Sequence, residues 1–369
     1  MSRPRVLMLI PSVVKRDIAQ AVAQDTHPTM DYHALQAAWN ADILDYAALE
    51  AEGNPRLVRL ARRGGKDLAL AMLGYLRRED YDVIYSNGEN LSIPLAMLLR
   101  RHRWRPLHVL IGHHLSTPKK RWFLRALHPQ MDAVFVYAST QKRYGVEVLG
   151  IPEHRLHLIP FHADHRFYRP LLPSPDAPER MICSAGLEWR DYPTLIEAVR
   201  DLDVEVRLAA ASPWSKHRNE TQDRVLPGNV SARRYEYNEL RRLYADARFV
   251  VVPLYQNDFQ AGITTILEAM AMGKAVIATR TIGQVDTIRD GENGLYVPPG
   301  DPRALRQKIQ WLLDHPDRAR EIGVRARCDL EAEWTLDHWV ERIVHVTGSL
   351  YQEREQPAAS MQWRMRAQG

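Results

Sequence analysis

Cysteine is nearly absent: Cys183 and Cys328 are the only two in 369 residues, and they stand in no C-x-x-C or metal-ligand spacing. That excludes a disulfide-stapled fold and a zinc-finger framework, and leaves two reduced thiols in a cytoplasmic protein as the expectation. Long apolar runs are missing too. The strongest, residues 91–99, is well short of the roughly 20 residues that a bilayer-spanning helix needs. The apolar burst at residues 1–10 leads into Lys15 and Arg16 without a small-residue cleavage site, so no secretory signal is expected. Solenoid-type repeats are lacking, and no motif with interleaved aromatics supports nucleic-acid binding.

What is present is the composition of a globular chain, 45% apolar and 26% charged, which is neither disordered nor collagen-like. The length suggests two domains, each able to bury a core. The net charge of +5 is unevenly placed: residues 1–170 hold 24 Lys+Arg against 16 Asp+Glu, and the remainder 26 against 29. A basic first half points to an anionic partner there, whether a phosphate-bearing substrate, an acidic polymer or a lipid surface.

Short apolar runs at residues 6–10, 83–85, 108–111 and 134–137 alternate with helical stretches, among them 54–79 and 93–101. This is the pattern of βαβ units around a parallel sheet. Pro160, Pro170, Pro173, Pro175 and Pro178 then interrupt it, as a linker does. A second series follows, with strands predicted at 181–184, 206–210, 249–253 and 275–278, and helices at 193–201, 236–244 and 264–272. After Asp301 the pattern is helical, and the polar segment from residue 352 is expected to be disordered. The implied division is residues 1–164, a linker 165–180, residues 181–334, a helix 335–350 and a tail 351–369. Two doubly wound α/β domains facing each other across a cleft are the expected architecture.

Chemistry concentrates in residues 250–300. A buried strand ends at Pro253, a loop carries Asp258, Gln260 and Gly262, and a helix opens at Ile263 or Thr264. Exposed amides at a helix N-terminus beside a glycine make a natural phosphate site. Glu268, at i+4 from Thr264, lies on the same face and can accept bonds from two ribose hydroxyls. In residues 182–198, Gly186 follows a strand end and Arg190 stands in the loop after it, ahead of the next helix. In the first half, His113 and His114 follow the strand at 108–111, where parallel sheets place ligands. Lys119 and Lys120 come next, and Glu89 follows another strand end in Ser86-Asn87-Gly88-Glu89. Ser212-Pro213-Trp214 sits at a second-domain strand end.

Glu268-Ala269-Met270-Ala271, eight residues after Gln260, resembles the donor-binding signature of the family 4 glycosyltransferases, which have the GT-B fold and retain anomeric configuration. The family carries a Glu at the place of Gln260, and its usual glycine appears displaced as Gly262. The segment from Gly186 through Arg190 to Leu195-Ile196-Glu197-Ala198 resembles the family's second donor motif, although Leu187 stands where an Arg is usual. The likeness extends over residues 5–350. It implies that Glu268 binds the ribose of a nucleotide-sugar, and that the amides near Gly262, Ile263 and Thr264 hold its diphosphate. It also implies that Gln260 contacts the sugar hydroxyls, with Gly186 and Arg190 at the leaving group and His113 near the reacting carbon. His113, Gln260 and Arg190 are thus the expected catalytic residues; His114, Lys119 and Glu89 are candidates for the acceptor. Residues 230–235 fall near the family's nucleotide-base site.

The sequence reading is therefore a GT-B α/β protein: two facing Rossmann-like domains, an interdomain cleft and C-terminal helices. The resemblance implies a metal-independent retaining transferase that needs no cofactor beyond its nucleotide-diphosphate-sugar donor. The acceptor is a sugar, a lipid-linked molecule or a small metabolite. A sugar-nucleotide epimerase of the same fold and a non-catalytic nucleotide-sugar-binding subunit remain as alternatives. Asp201-Leu202-Asp203 at a helix end, and His162 with His165 in a Pro-rich linker, make poor metal sites. Arg59, Arg62, Arg63 and Lys66, and Lys119 to Phe123, suit either a solvated basic face or peripheral contact with the inner membrane surface.

Overall fold

The computed structural model describes residues 3–15, 17–102, 104–210 and 226–366; the strand-end loop at Ser212, Pro213 and Trp214 lies outside them. Among the described residues, twelve strands form two six-stranded sheets in which every pairing is parallel. The first contains β1 (Val6–Leu9), β2 (Asp42–Leu44), β3 (Val83–Asn87), β4 (Leu107–Gly112), β5 (Ala133–Val136) and β6 (Leu156–Leu158), in the order β2-β1-β3-β4-β5-β6. The second contains β7 (Met181–Ala185), β8 (Glu205–Ala209), β9 (Val230–Arg233), β10 (Val250–Val252), β11 (Val276–Thr279) and β12 (Leu295–Val297), in the order β12-β11-β10-β7-β8-β9.

The central strands β1, β4, β5 and β10 are buried at every residue. Covered on both faces, β1, β5 and β10 are written as unbroken apolar runs rather than alternating ones, and β4 departs from this at His108, whose Nε2 lies 2.8 Å from the Ser86 hydroxyl. Strands β2, β6, β9 and β12 went unrecognised in the sequence. They are three or four residues long and lie at the sheet edges, and β2 even begins with an exposed Asp42. The helix expected over 54–79 breaks at Gly65 (φ +91°) into Pro55–Gly64 and Lys66–Leu76. Among the described residues no helix is long and apolar enough to cross a membrane.

Each sheet belongs to one compact unit, and neither unit is a continuous stretch of chain. The first comprises Met1–Arg16, Met30–Ile159 and Trp339–Gly369; the second comprises Asp17–Thr29 and Pro160–His338. The contiguous first domain 1–164 therefore differs from the observed unit. Residues 17–29 are held in the second unit because Asp25 accepts from Arg169 (Nη2, 2.7 Å) and Arg241 (Nη1, 2.7 Å). The Thr29 amide also donates to Asp164 at 2.7 Å. The expected linker 165–180 is part of that unit, with Ser174 bonded through its amide and hydroxyl to Asp246. At the other end, the helix expected over 335–350 continues as Leu336–Arg366, so the segment that starts the expected tail is helical among the described residues. Gln, Glu, Arg, Ala and Met dominate its last fifteen residues, and extending a formed helix is far easier than nucleating one.

One contact in the second unit tolerates only glycine. The helix Pro316–Glu333 lies so close to the turn at Gly273 that a Cβ on Gly323 would collide with the Gly273 carbonyl. Both partners are backbone, so no rotamer relieves it. Gly323→Ala is expected to lower stability by about 3 kcal/mol despite its better helix propensity. Urea unfolding checks this; an unchanged midpoint would contradict it.

Candidate functional site

Parallel α/β sheets bind ligands at the carboxyl ends of their strands, where the strand order reverses. The second sheet reverses between β7 and β10, because the chain proceeds from β7 to β8 and β9 on one side and from β10 to β11 and β12 on the other. The loops that follow these two strands are Gly186–Asp191 and Pro253–Gly262. They are tied to each other: the Asp191 amide donates to the Pro253 carbonyl and the Tyr255 amide to that of Trp189, both at 3.0 Å. Trp189 takes a left-handed backbone conformation (φ +54°) that side chains other than glycine rarely adopt.

Arg190 lies at the centre of these loops and is buried. Its Nε donates to the Ala185 carbonyl (2.8 Å), Nη1 to that of Glu188 (2.7 Å) and Nη2 to the Thr265 hydroxyl (3.0 Å). Three of its five N–H groups are thus engaged by the scaffold, and two have no partner among the described residues. Burial lowers its pKa from the ordinary value. Gly186 (φ +94°) makes room for it: a Cβ there would stand 2.5 Å from Nη2. Gly262 (φ +79°) closes the other side, where a Cβ would be 2.8 Å from Val252 and 3.4 Å from Nη1.

Gly262 is the N-cap of the helix Ile263–Ala271. Ile263 turns inward and Thr264 outward. The amides of Thr264 and Thr265 have no carbonyl partner among the described residues, so they are free to meet an anion at the positive end of the helix. One turn further, Glu268 is 9% exposed and accepts from the Tyr244 hydroxyl at 2.8 Å. Burial raises its pKa to about 7, against the opposing pull of Tyr244, Tyr168 and Arg190. Gly186, Arg190, Gly262, Thr264 and Glu268, read from two separate motifs, are therefore brought together.

Further polar atoms in this region, Asn257 Oδ1, Gln260 Oε1, Thr281 Oγ1 and Gln284 Oε1, are buried without a hydrogen-bond partner among the described residues. They come from the loop after β10 and the loop after β11. The Gly283 amide on the Asn257 carbonyl (3.1 Å) and Gln284 Nε2 on that of Ala261 (3.1 Å) join the two loops. Only Gln260 was foreseen. The other three carry no local signal, since their grouping depends on loops over twenty residues apart. Near the end of β9, the Arg233 guanidinium lies 3.7 Å from the centre of the Tyr235 ring. A pocket of about 340 Å³ opens there, lined in part by Arg207, Asn238 and Arg242.

The first sheet reverses between β1 and β3. His113 follows β4, and its Nε2 is 2.6 Å from Oδ1 of Asn87, the last residue of β3. The Tyr137 ring, just past β5, is 5.7 Å away. The imidazole opens to solvent on one side, while the protein packed around its other sides lowers its pKa. Asp31, first residue of the helix Asp31–Trp39, bears on His113 electrostatically and has its own pKa raised by burial. Asn87 belongs to the strand-end segment 86–89 already marked in the sequence, whereas Asp31 and Tyr137 were not anticipated.

Glu89, a sequence candidate for the acceptor, is engaged within the protein. It is buried and holds the His114 amide (2.7 Å) and Lys120 Nζ (3.2 Å), so it fixes the loop that carries His113. Burial pushes its carboxyl up, but Lys120, His113 and the backbone amides outweigh that, and its pKa falls below the ordinary value. His114 is anchored through its backbone at this loop, and Lys119 is exposed.

Two all-parallel sheets, with polar groups gathered at the carboxyl ends of their strands and free helix-terminal amides in the second, define a two-unit α/β protein of GT-B fold. Residues 31–166 match the family model described as "Glycosyltransferase Family 4", and residues 179–315 the one described as "Glycosyl transferases group 1". A GDP-mannose-dependent monoacylated alpha-(1-6)-phosphatidylinositol monomannoside mannosyltransferase of Corynebacterium glutamicum is 30% identical over 312 residues, 76% of this chain and 80% of that protein. An uncharacterized glycosyltransferase of Methanocaldococcus jannaschii, MJ1178, is 29% identical over 133 residues; the match spans 35% of this chain and only 36% of that protein. The crystal structure of Anabaena Alr3699/HepE in complex with UDP and glucose superimposes with a TM-score of 0.67 at 16% identity, over 94% of this chain and 100% of that one. The chain belongs to the family 4 glycosyltransferases.

Proposed function

We propose that this protein transfers a glycosyl unit, with retention and without a metal ion, from a nucleotide-diphosphate sugar to an acceptor hydroxyl. The observation that carries the reading is the second unit's reversal point. Free amides of Thr264 and Thr265, the glycine at 262, buried Arg190 and Glu268 one turn on together fit a diphosphate followed by a ribose. The UDP and glucose bound by the structural neighbour are in keeping with such a donor.

The helix-terminal amides and the two spare N–H groups of Arg190 stabilise the departing diphosphate. Glu268 accepts from the ribose hydroxyls. The unpaired oxygens of Asn257, Gln260, Thr281 and Gln284 receive the hydroxyls of the sugar; an all-neutral set suits an uncharged hexose. In the first unit, His113, steadied by Asn87, takes a substrate hydroxyl. The acceptor oxygen attacks the anomeric carbon on the face the diphosphate leaves. The sugar–phosphate C–O bond breaks as the new glycosidic bond forms, and the departing phosphate oxygen takes the acceptor proton.

A thermal-shift screen against UDP, GDP, ADP and their hexose conjugates tests this. A ligand at about 100 times its Kd adds about 2.7 kcal/mol to the folded state, which is a rise of several degrees. Response to at least one conjugate is expected, and response to none overturns the proposal. Proton NMR of the product made from a responding donor then reads the anomeric configuration, where inversion would contradict retention.

A further inference from the structure

We infer that the helix Pro118–Leu127 of the first unit is a docking element for an anionic lipid surface. The sequence of this helix, Pro-Lys-Lys-Arg-Trp-Phe-Leu-Arg-Ala-Leu, contains four cations and no acid. Leu124 and Leu127 are buried and fix its inner face. At about 100° per residue, the face opposite them carries Trp122, flanked by the i, i+4 pairs Arg121/Arg125 and Lys119/Phe123. Trp122 is 72% exposed and Phe123 39%. The two rings pack edge-on at 5.2 Å, making one apolar knob rather than two scattered residues.

The charge around the knob is uncompensated. Lys120 pairs with Glu89, but Lys119, Arg121 and Arg125 are exposed and meet no carboxylate among the described residues. Like charges at i, i+4 repel and weaken a helix, so this arrangement is satisfied only from outside. Amphipathic tryptophan and phenylalanine ringed by lysine and arginine fit the boundary between headgroups and acyl chains of an anionic bilayer. A polyanion without an apolar phase would leave the aromatic pair in water. A second helix of the unit, Pro55–Gly64, adds Arg56, Arg59, Arg62 and Arg63, all exposed and again without an acid, to the long-range attraction. The inference does not depend on the transfer reaction.

Co-sedimentation of the full chain with phosphatidylcholine vesicles, with and without about a quarter phosphatidylglycerol, tests it. Binding is expected only with the anionic lipid, and it should weaken as salt is raised. Trp122→Ala should reduce partitioning about tenfold, and Arg121→Glu with Arg125→Glu by more than about tenfold. Arg320→Glu, on an exposed helix of the second unit, should leave it unchanged. All these positions are exposed, so thermal midpoints should match the parent and confirm folding. Equal binding by the Arg121/Arg125 variant, no binding to anionic vesicles, or self-association in their absence that the same variant abolishes would each overturn the inference.

Discussion

Glu268→Gln is expected to stabilise the ligand-free protein at pH 8 by up to about 3 kcal/mol while weakening nucleotide binding. Both effects follow from one carboxyl that is buried yet required to ionise. Its pKa is raised from 4.5 to about 7, chiefly by burial. Between those values the folded protein keeps a proton that the unfolded chain has lost. Stability therefore falls as pH rises through the window from about 4.5 to about 7, and is flat above it. Glutamine cannot ionise, and its amide oxygen can still accept from Tyr244. The variant should lack this slope, so that parent and variant agree near pH 4.5 and diverge above it. Thermal melts over this range check the sign; parallel curves for the two proteins would refute it.

Donor binding runs the other way. A carboxylate accepts hydroxyl bonds more strongly than a neutral carboxyl or amide does, so the parent's affinity should rise as pH is raised through about 7. Glu268→Gln should bind the responsive nucleotide more weakly by about tenfold at pH 8, with little pH dependence. Isothermal titration at pH 6 and pH 8 separates the two proteins. A substitution that raises stability and lowers affinity at once marks a group strained for its ligand.

Arg190→Lys, conservative in charge, is expected to lower stability by about 3–5 kcal/mol. The guanidinium serves Ala185, Glu188 and Thr265 at once, and a single ammonium cannot reach all three from one position. Each buried carbonyl or hydroxyl left without its donor costs about 1–3 kcal/mol. The loss should appear as a lower urea midpoint in the absence of any ligand, because the bonds are made by the scaffold itself. An unchanged midpoint with impaired transfer would instead mean that the arginine acts only on substrate. Gly186→Ala should act in the same direction, since its Cβ would displace the guanidinium and its φ of +94° disfavours a side chain.

Much of the architecture was legible because it is locally encoded. Central strands such as β5 and β10 are buried on both faces and must be continuously apolar, so they can be seen in isolation. Helix starts were marked by residues whose roles are local, including Asp191 capping at Thr194 and Asp301 at Ala304. The edge strands β2 and β9 were not legible, because half-exposed backbone pairing leaves no apolar run to read.

The sequence by itself determined two parallel α/β units, and it determined a helix N-terminus with a glycine before it and a carboxylate one turn on. Spacing along a helix is rigid, so Gly262, Thr264 and Glu268 could be placed relative to one another without knowing anything else in the protein. Only the tertiary structure decided what surrounds them. Asp25 joins the second unit through partners 144 and 216 residues away. Glu268 has its pKa raised because it is buried, with a tyrosine 24 residues distant to receive it. Arg190 faces Thr265 across 75 residues. Periodicity specifies which face of an element is buried, but the partner of a buried polar group comes from another element, and no local pattern records which one.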